Sequence, residues 1–182
     1  MRISTGGLVS IALVLVPTLL GSARAFAQTT SPTYYLVEGI MKTPDGRQIG
    51  VSVSLSKRTL RPDAGMIEER VLQLRGREPA TEFNTTIKVD GAKGKVSMSG
   101  GEFEGEAQFT GAAWAWTGMQ FSGKTADGNQ IVEGKDEFRS TGMTADKRVL
   151  DASGKLLFLM HETGTVISAP VYEMLRSRLM PK

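Results

Sequence analysis

The chain has 182 residues, 40% of them hydrophobic, with 22 basic and 19 acidic side chains, one histidine and no cysteine. That size suits one domain with its own core, and the lack of cysteine removes disulfide staples and cysteine-ligated metal from consideration. No basic run interleaved with aromatics marks a nucleic-acid surface, and no polybasic cluster marks a membrane surface.

Arg2 precedes an apolar stretch from Leu8 to Leu20, long enough for the hydrophobic region of a secretory signal and short for a membrane span. Ala25-Phe26-Ala27 supplies the small-x-small pattern that a signal peptidase reads. Residues 1–27 are therefore expected to be a signal peptide. Residues 28–182 are expected to form a single periplasmic or secreted domain with no integral membrane span. The leader's only charges are Arg2 and Arg24, which leaves 20 basic against 19 acidic side chains, or +1, on the mature chain.

From Tyr34 onward, β-type runs alternate with turn residues at short intervals. Tyr34 to Thr43 and Gln48 to Thr59 read as a hairpin around Pro44-Asp45-Gly46-Arg47, where Gly46 accepts a left-handed conformation. In its second strand Val51, Val53 and Leu55 alternate with Ser52, Ser54 and Ser56, so one face is apolar and the other polar. Strands are expected at Met66 to Leu74 and Thr81 to Val89, with a turn region at residues 76–79 between them. A short strand at Lys95 to Ser99 precedes Gly100-Gly101. Phe103, Gly105, Ala107 and Phe109 then oppose Glu102, Glu104, Glu106 and Gln108. Trp114 to Lys124, Gln130 to Ser140, Met143 to Leu150 and Lys155 to Ile167 complete about ten strands. Ser168 and Pro170 open a terminal helix over about 169–180 whose Tyr172, Leu175 and Leu179 share a face.

Lys42-Thr43-Pro44-Asp45-Gly46-Arg47-Gln48-Ile49 is echoed 82 residues later by Lys124-Thr125-Ala126-Asp127-Gly128-Asn129-Gln130-Ile131. Arg70-Val71-Leu72 is answered by Arg148-Val149-Leu150. Both echoes fit two related three-stranded meanders or independent use of the same turn chemistry, and both require hairpins.

The expected fold is all-β: an antiparallel up-and-down β-barrel of about ten strands with a C-terminal α-helix packed against its outside or one end, and a β-sandwich as the alternative. On Gly101-Glu102-Phe103-Glu104-Gly105-Glu106, the Trp114-Ala115-Trp116-Thr117 segment and the closing strand before the helix, the chain resembles the calycin group, lipocalins and their relatives, and most of all lipocalin-like secreted bacterial proteins of unknown function. The Gly-x-Trp that lipocalins carry near their first strand is absent, so no binding residue transfers from that family.

Gly118-Met119-Gln120-Phe121-Ser122-Gly123-Lys124-Thr125 matches the phosphate-binding P-loop pattern, but its Lys and Thr begin a hairpin turn rather than a helix, and the match is read as coincidence. Ser54-Leu55-Ser56-Lys57 fits a Ser-x-x-Lys pattern whose odd spacing puts the two groups on opposite strand faces. His161, the only histidine, is a candidate polar contact to a ligand, a single haem ligand, or a hydrogen-bonded strand residue near the helix junction. Trp114 and Trp116 are candidate walls of an apolar cavity or plugs of a filled core.

The resulting reading is an exported barrel holding a small, largely apolar ligand beside Trp114, Trp116 and His161. The alternatives are a filled-core structural or interaction protein of the cell envelope and a barrel isomerase or cyclase. No catalytic residue or metal ligand is assigned, an enzyme is not the favoured reading, and no cofactor is expected, with haem through His161 the alternative. No nucleic-acid partner is expected. An open interior separates the first two readings; a buried carboxyl with a raised pKa favours the third.

Overall fold

A computed structural model describes residues 31–75, 79–98 and 103–180. The expected signal peptide lies outside these residues, as do the Gly100-Gly101 turn and most of the turn at 76–79. Ten antiparallel strands follow one another: β1 (Thr33–Lys42), β2 (Gln48–Arg61), β3 (Met66–Arg75), β4 (Thr81–Asp90), β5 (Lys93–Met98), β6 (Phe103–Ala112), β7 (Ala115–Thr125), β8 (Gln130–Arg139), β9 (Gly142–Asp151) and β10 (Leu156–Ile167). Each pairs with its neighbours in sequence, and β1 closes on β10 through Tyr34 opposite Ile167 to Lys42 opposite Leu159. The closed up-and-down barrel is as expected; the sandwich alternative is ruled out, because closure leaves no second sheet and no free edge.

The two echoed segments occupy equivalent turns, between β1 and β2 and between β7 and β8. Gly46 and Gly128 sit at φ of 87° and 68°, where a Cβ is strained. In both turns the threonine hydroxyl accepts a backbone N–H at 3.1 Å, from Arg47 just before β2 and from Gln130 at the start of β8. The Arg-Val-Leu echo falls in the strand that follows each echoed hairpin, β3 and β9, two positions later in β9, with Val71 and Val149 both buried.

Inside the barrel, Tyr35, Val37, Ile67, Val71, Phe83, Ile87, Phe103, Phe109, Met119, Phe121, Val132 and Phe158 belong to one buried cluster. Phe103 reaches across Gly105 and Gly123, which face each other on β6 and β7; a Cβ on Gly123 would stand 2.4 Å from the Phe103 ring and from the Glu104 carbonyl oxygen.

Two strands differ from the simple alternation read in the sequence. In β2 the serines point inward and are buried, while Val51 and Val53 face solvent. The inversion is tolerated because Leu55, also on the outer face, is covered by helix α1 (Ala169–Leu179), which packs Tyr172, Leu175 and Leu179 on Leu55, Leu72 and Leu36. Complete burial of Leu55, Leu72 and Tyr172 contributes about 1.5–3 kcal/mol for each side chain. In β7 a register shift opposite Thr110 and Gly111 inserts one extra residue, so Trp116 and Met119 both point inward although an odd number of positions separates them.

Glu82 of β4 ties the helix down. It accepts two hydrogen bonds from Arg70 of β3, at 2.6 and 2.7 Å, and one from Arg176 of α1 at 3.1 Å. Among the described residues no helix is long and apolar enough to cross a membrane.

Candidate functional site

The inward side chains of β2, β3, β8, β9 and β10 bring five ionisable groups into the barrel: Arg58, Glu69, Asp136, Lys147 and Glu162, each at most 3% exposed. Their positions follow from the register. Arg58 stands opposite Glu69, while Glu162 and Asp136 both stand opposite Ala145, on either side of β9. Arg58 donates to Glu69 at 2.8 Å, Ser56 donates to the other oxygen of Glu69, and Lys147 donates to Glu162.

Asp136 is the exception. Neither of its carboxyl oxygens meets a protein donor among the described residues. Burial first, and then the like charges of Glu162 and Glu69, push its carboxyl well above the usual carboxylate range, against the opposing pull of Lys147 and Arg58. The neutral acid is thus the favoured form. The formal charges of the other four then cancel, two positive against two negative. Nε and Nη1 of Arg58, Oγ1 of Thr85 and Oε1 of Glu162 are also buried with no hydrogen-bond partner among the described residues. Burying such groups costs several kcal/mol per unpaired charge, so the cluster is poorly explained as a source of stability.

Beside the cluster the wall is soft. Met98, Met119, Met143 and Met160 are all buried in the interior. Methionine has three rotatable side-chain bonds and yields to a neighbour more readily than a branched residue does. The interior is nevertheless closely filled: at the level of Lys147, Phe121 and Met160, inward side chains are no more than 4% exposed. A broad depression of about 1300 Å³ lies instead on the outer face, lined largely by exposed side chains such as Lys95, Glu106, Gln120, Lys135 and His161.

Trp116 is buried and stacked on Phe109, with ring centres 4.3 Å apart. Trp114 occupies the two-residue turn between β6 and β7, 4.9 Å from Trp116, with φ at 63° in a region a bulky residue rarely adopts. The tryptophans therefore meet, as a plug at one end of the barrel. His161 is not with them: it faces outward, half exposed, with Nδ1 2.8 Å from Asp146. An occupant of the barrel interior would not meet this imidazole. The Gly118 to Thr125 segment lies wholly within β7 with a hairpin turn after it, and Ser54 points inward while Lys57 lies over the Tyr34 ring. Among the described residues no three His, Cys, Asp or Glu side chains group as metal ligands.

The central cluster was missed in the sequence because its five members are spread over 105 positions and each passes as an ordinary polar strand residue. A signal did exist. Asp136 shares a face with Val132, Gly134 and Phe138, and Glu162 shares one with Phe158, Met160 and Gly164, so each is an acid in an otherwise apolar row.

Fold and site together define a closed ten-strand up-and-down barrel with a charged interior. Among solved structures, the S-type phycobiliprotein lyase CPES from Guillardia theta is similar at 11% identity and a TM-score of 0.51, over 78% of this chain and 89% of that one. The ywiB protein from Bacillus subtilis is similar at 12% identity and a TM-score of 0.37, over 76% and 93%. The first likeness bears on the fold alone. No family model and no curated protein matches the chain.

Proposed function

We propose that this chain is a small-ligand-binding barrel whose binding determinant is the interior cluster around Asp136. The observation that carries the proposal is a set of buried polar atoms on Arg58, Asp136 and Glu162 that have no hydrogen-bond partner among the described residues, inside a barrel whose remaining inward side chains are largely apolar. Ligand sites combine apolar walls with a few convergent polar groups, and this interior has both. The ligand it suits is small and amphiphilic. Its polar end accepts from Arg58 and from the Asp136 acid and donates to Glu162, while its apolar body takes room yielded by the methionines. A large rigid apolar ligand fits the filled interior poorly. The lipocalin-like fold agrees with a binding role by analogy only.

Native mass spectrometry of the folded chain, compared with its denatured mass, tests this. Retained extra mass that leaves on denaturation, or complex formation with decanamide as an amphiphilic probe, supports the reading. Equal masses after incubation with lipid extract and with decanamide overturn it.

A second reading, an interaction protein with a filled core, is favoured by one observation: the apolar side chains left bare on the outside of β1, β2 and β10.

A further inference from the structure

The inverted facing of β2 leaves an apolar outer wall that the helix covers only in part. Toward the Tyr34 end of β1, α1 covers Leu36, Leu55 and Leu72. Toward the Lys42 end, Ile49, Val51 and Val53 on β2, Ile40 on β1, and Leu157 and Leu159 on β10 remain 36–51% exposed. Ile40 stands opposite Val51, and Val53 opposite Glu38, so these side chains adjoin rather than scatter. Isolated exposed apolar residues need no explanation; six on three adjacent strands mark a contact surface.

We propose that this face binds a second copy of the same chain through a two-fold axis lying across the strands at Ile40 and Val51. The charges select this occupant. Glu38 and Lys42 are exposed on the outer face of β1, two positions either side of Ile40. The axis reverses strand direction, so it lays Glu38 of one copy over Lys42 of the other, and the reciprocal pair forms at the same time. It sets Ile40 on Ile40 and Val51 on Val51, and it places Val53 over the Ile49 end of the opposing β2. Aligned sheets depart from strict superposition by ~30°, an offset that long Glu and Lys side chains bridge. The face is thus apolar at its centre and oppositely charged at its two flanks, which is the pattern a self-complementary interface requires.

Light scattering coupled to gel filtration, on the full chain across the micromolar range, tests the proposal. The unaltered chain is expected to be a dimer, and Val51→Lys a folded monomer by near-ultraviolet circular dichroism. Glu38→Lys and Lys42→Glu, each placing like charges together twice, are each expected to weaken dimerisation roughly tenfold or more, and the double exchange to restore it. A dimer indifferent to Val51→Lys, or single charge reversals that the double exchange does not rescue, overturns the two-fold arrangement. A monomeric unaltered chain overturns dimerisation itself. Thiol labelling of Val51→Cys, unique in a chain without cysteine, then names the alternative: slow labelling that depends on residues 1–30 gives the face to the chain's own N-terminal segment, and fast labelling leaves it bare.

Discussion

Arg58 and Glu69 face each other across β2 and β3 at 2.8 Å, with side chains no more than 2% exposed, in the interior of a barrel. Taking both charges out of water costs much of what their attraction returns, so the pair adds little net stability, but each partner makes the other tolerable. Glu69→Leu alone, or Arg58→Met alone, is expected to lower stability by about 3–5 kcal/mol by stranding a buried charge. The double substitution is expected to cost far less than either single one. Urea denaturation of the three variants measures this; a double variant as unstable as the singles would show that packing, and not the stranded charge, sets the cost.

Glu82 holds α1 through Arg176 while Arg70 grips both of its oxygens. The Arg70 hydrogen bonds first, and then Arg176, hold its carboxyl below the usual carboxylate range. A depressed folded-state value means stability that is present above the unfolded value of 4.5 and is lost as pH falls through the folded one. Glu82→Gln is expected to cost roughly 1 kcal/mol at neutral pH, a modest figure because the site is partly solvated. The difference from the unaltered chain should vanish in acid. Faster amide exchange confined to α1 is the expected local signature; equal exchange rates would show that Tyr172, Leu175 and Leu179 anchor the helix without the clasp.

Why the strands were legible in the sequence and the site was not follows from particular residues. Asp45-Gly46 and Asp127-Gly128 specify turns by local chemistry, so the hairpins and their order can be read directly. Alternation in β2 shows that two faces differ but not which one points inward; only Tyr172, Leu175 and Leu179, an apolar helix face in need of a surface, hint that Leu55 lies outside. The bulge at Thr117 reverses the parity of β7, and the glycines around it, Gly111 opposite at a φ of 105° and Gly118 next in the chain, do not say from sequence which residue is the extra one. Asp136 and Glu162 come together through register and closure, which depend on all ten strands at once.

Gly123 carries a close approach rather than a turn. Its missing Cβ leaves room for the Phe103 ring and for the Glu104 carbonyl, each 2.4 Å from where that carbon would stand. Gly123→Ala is therefore expected to displace backbone as well as a ring and to destabilise the barrel by about 1–3 kcal/mol, the usual cost of overpacking. Gly128→Ala, where nothing lies within 4 Å, meets only its positive φ of 68°. It is expected to cost about 1 kcal/mol. Thermal unfolding of both variants separates crowding from backbone strain; equal shifts would remove the packing role assigned to Gly123.

Asp136 makes the sharpest pH prediction. Its carboxyl, buried with no hydrogen-bond donor among the described residues, is held well above the usual range by desolvation first, with Glu162 and Glu69 adding to the rise and Lys147 and Arg58 opposing it. A raised folded-state value means that the folded form holds its proton more tightly than the unfolded form does. The stabilising effect is complete below the unfolded value and is lost as pH rises through the folded one. Asparagine, isosteric and neutral throughout, has no such loss. Asp136→Asn is expected to match the unaltered chain in acid and to gain on it steadily above the unfolded value of 3.8, by at most ~1.4 kcal/mol per pH unit until the folded value is passed. Urea midpoints from pH 3 to pH 9 provide the comparison. Parallel curves would mean that the folded barrel admits the ionised Asp136 at no cost, as it would if Arg58 or Lys147 turned to meet it.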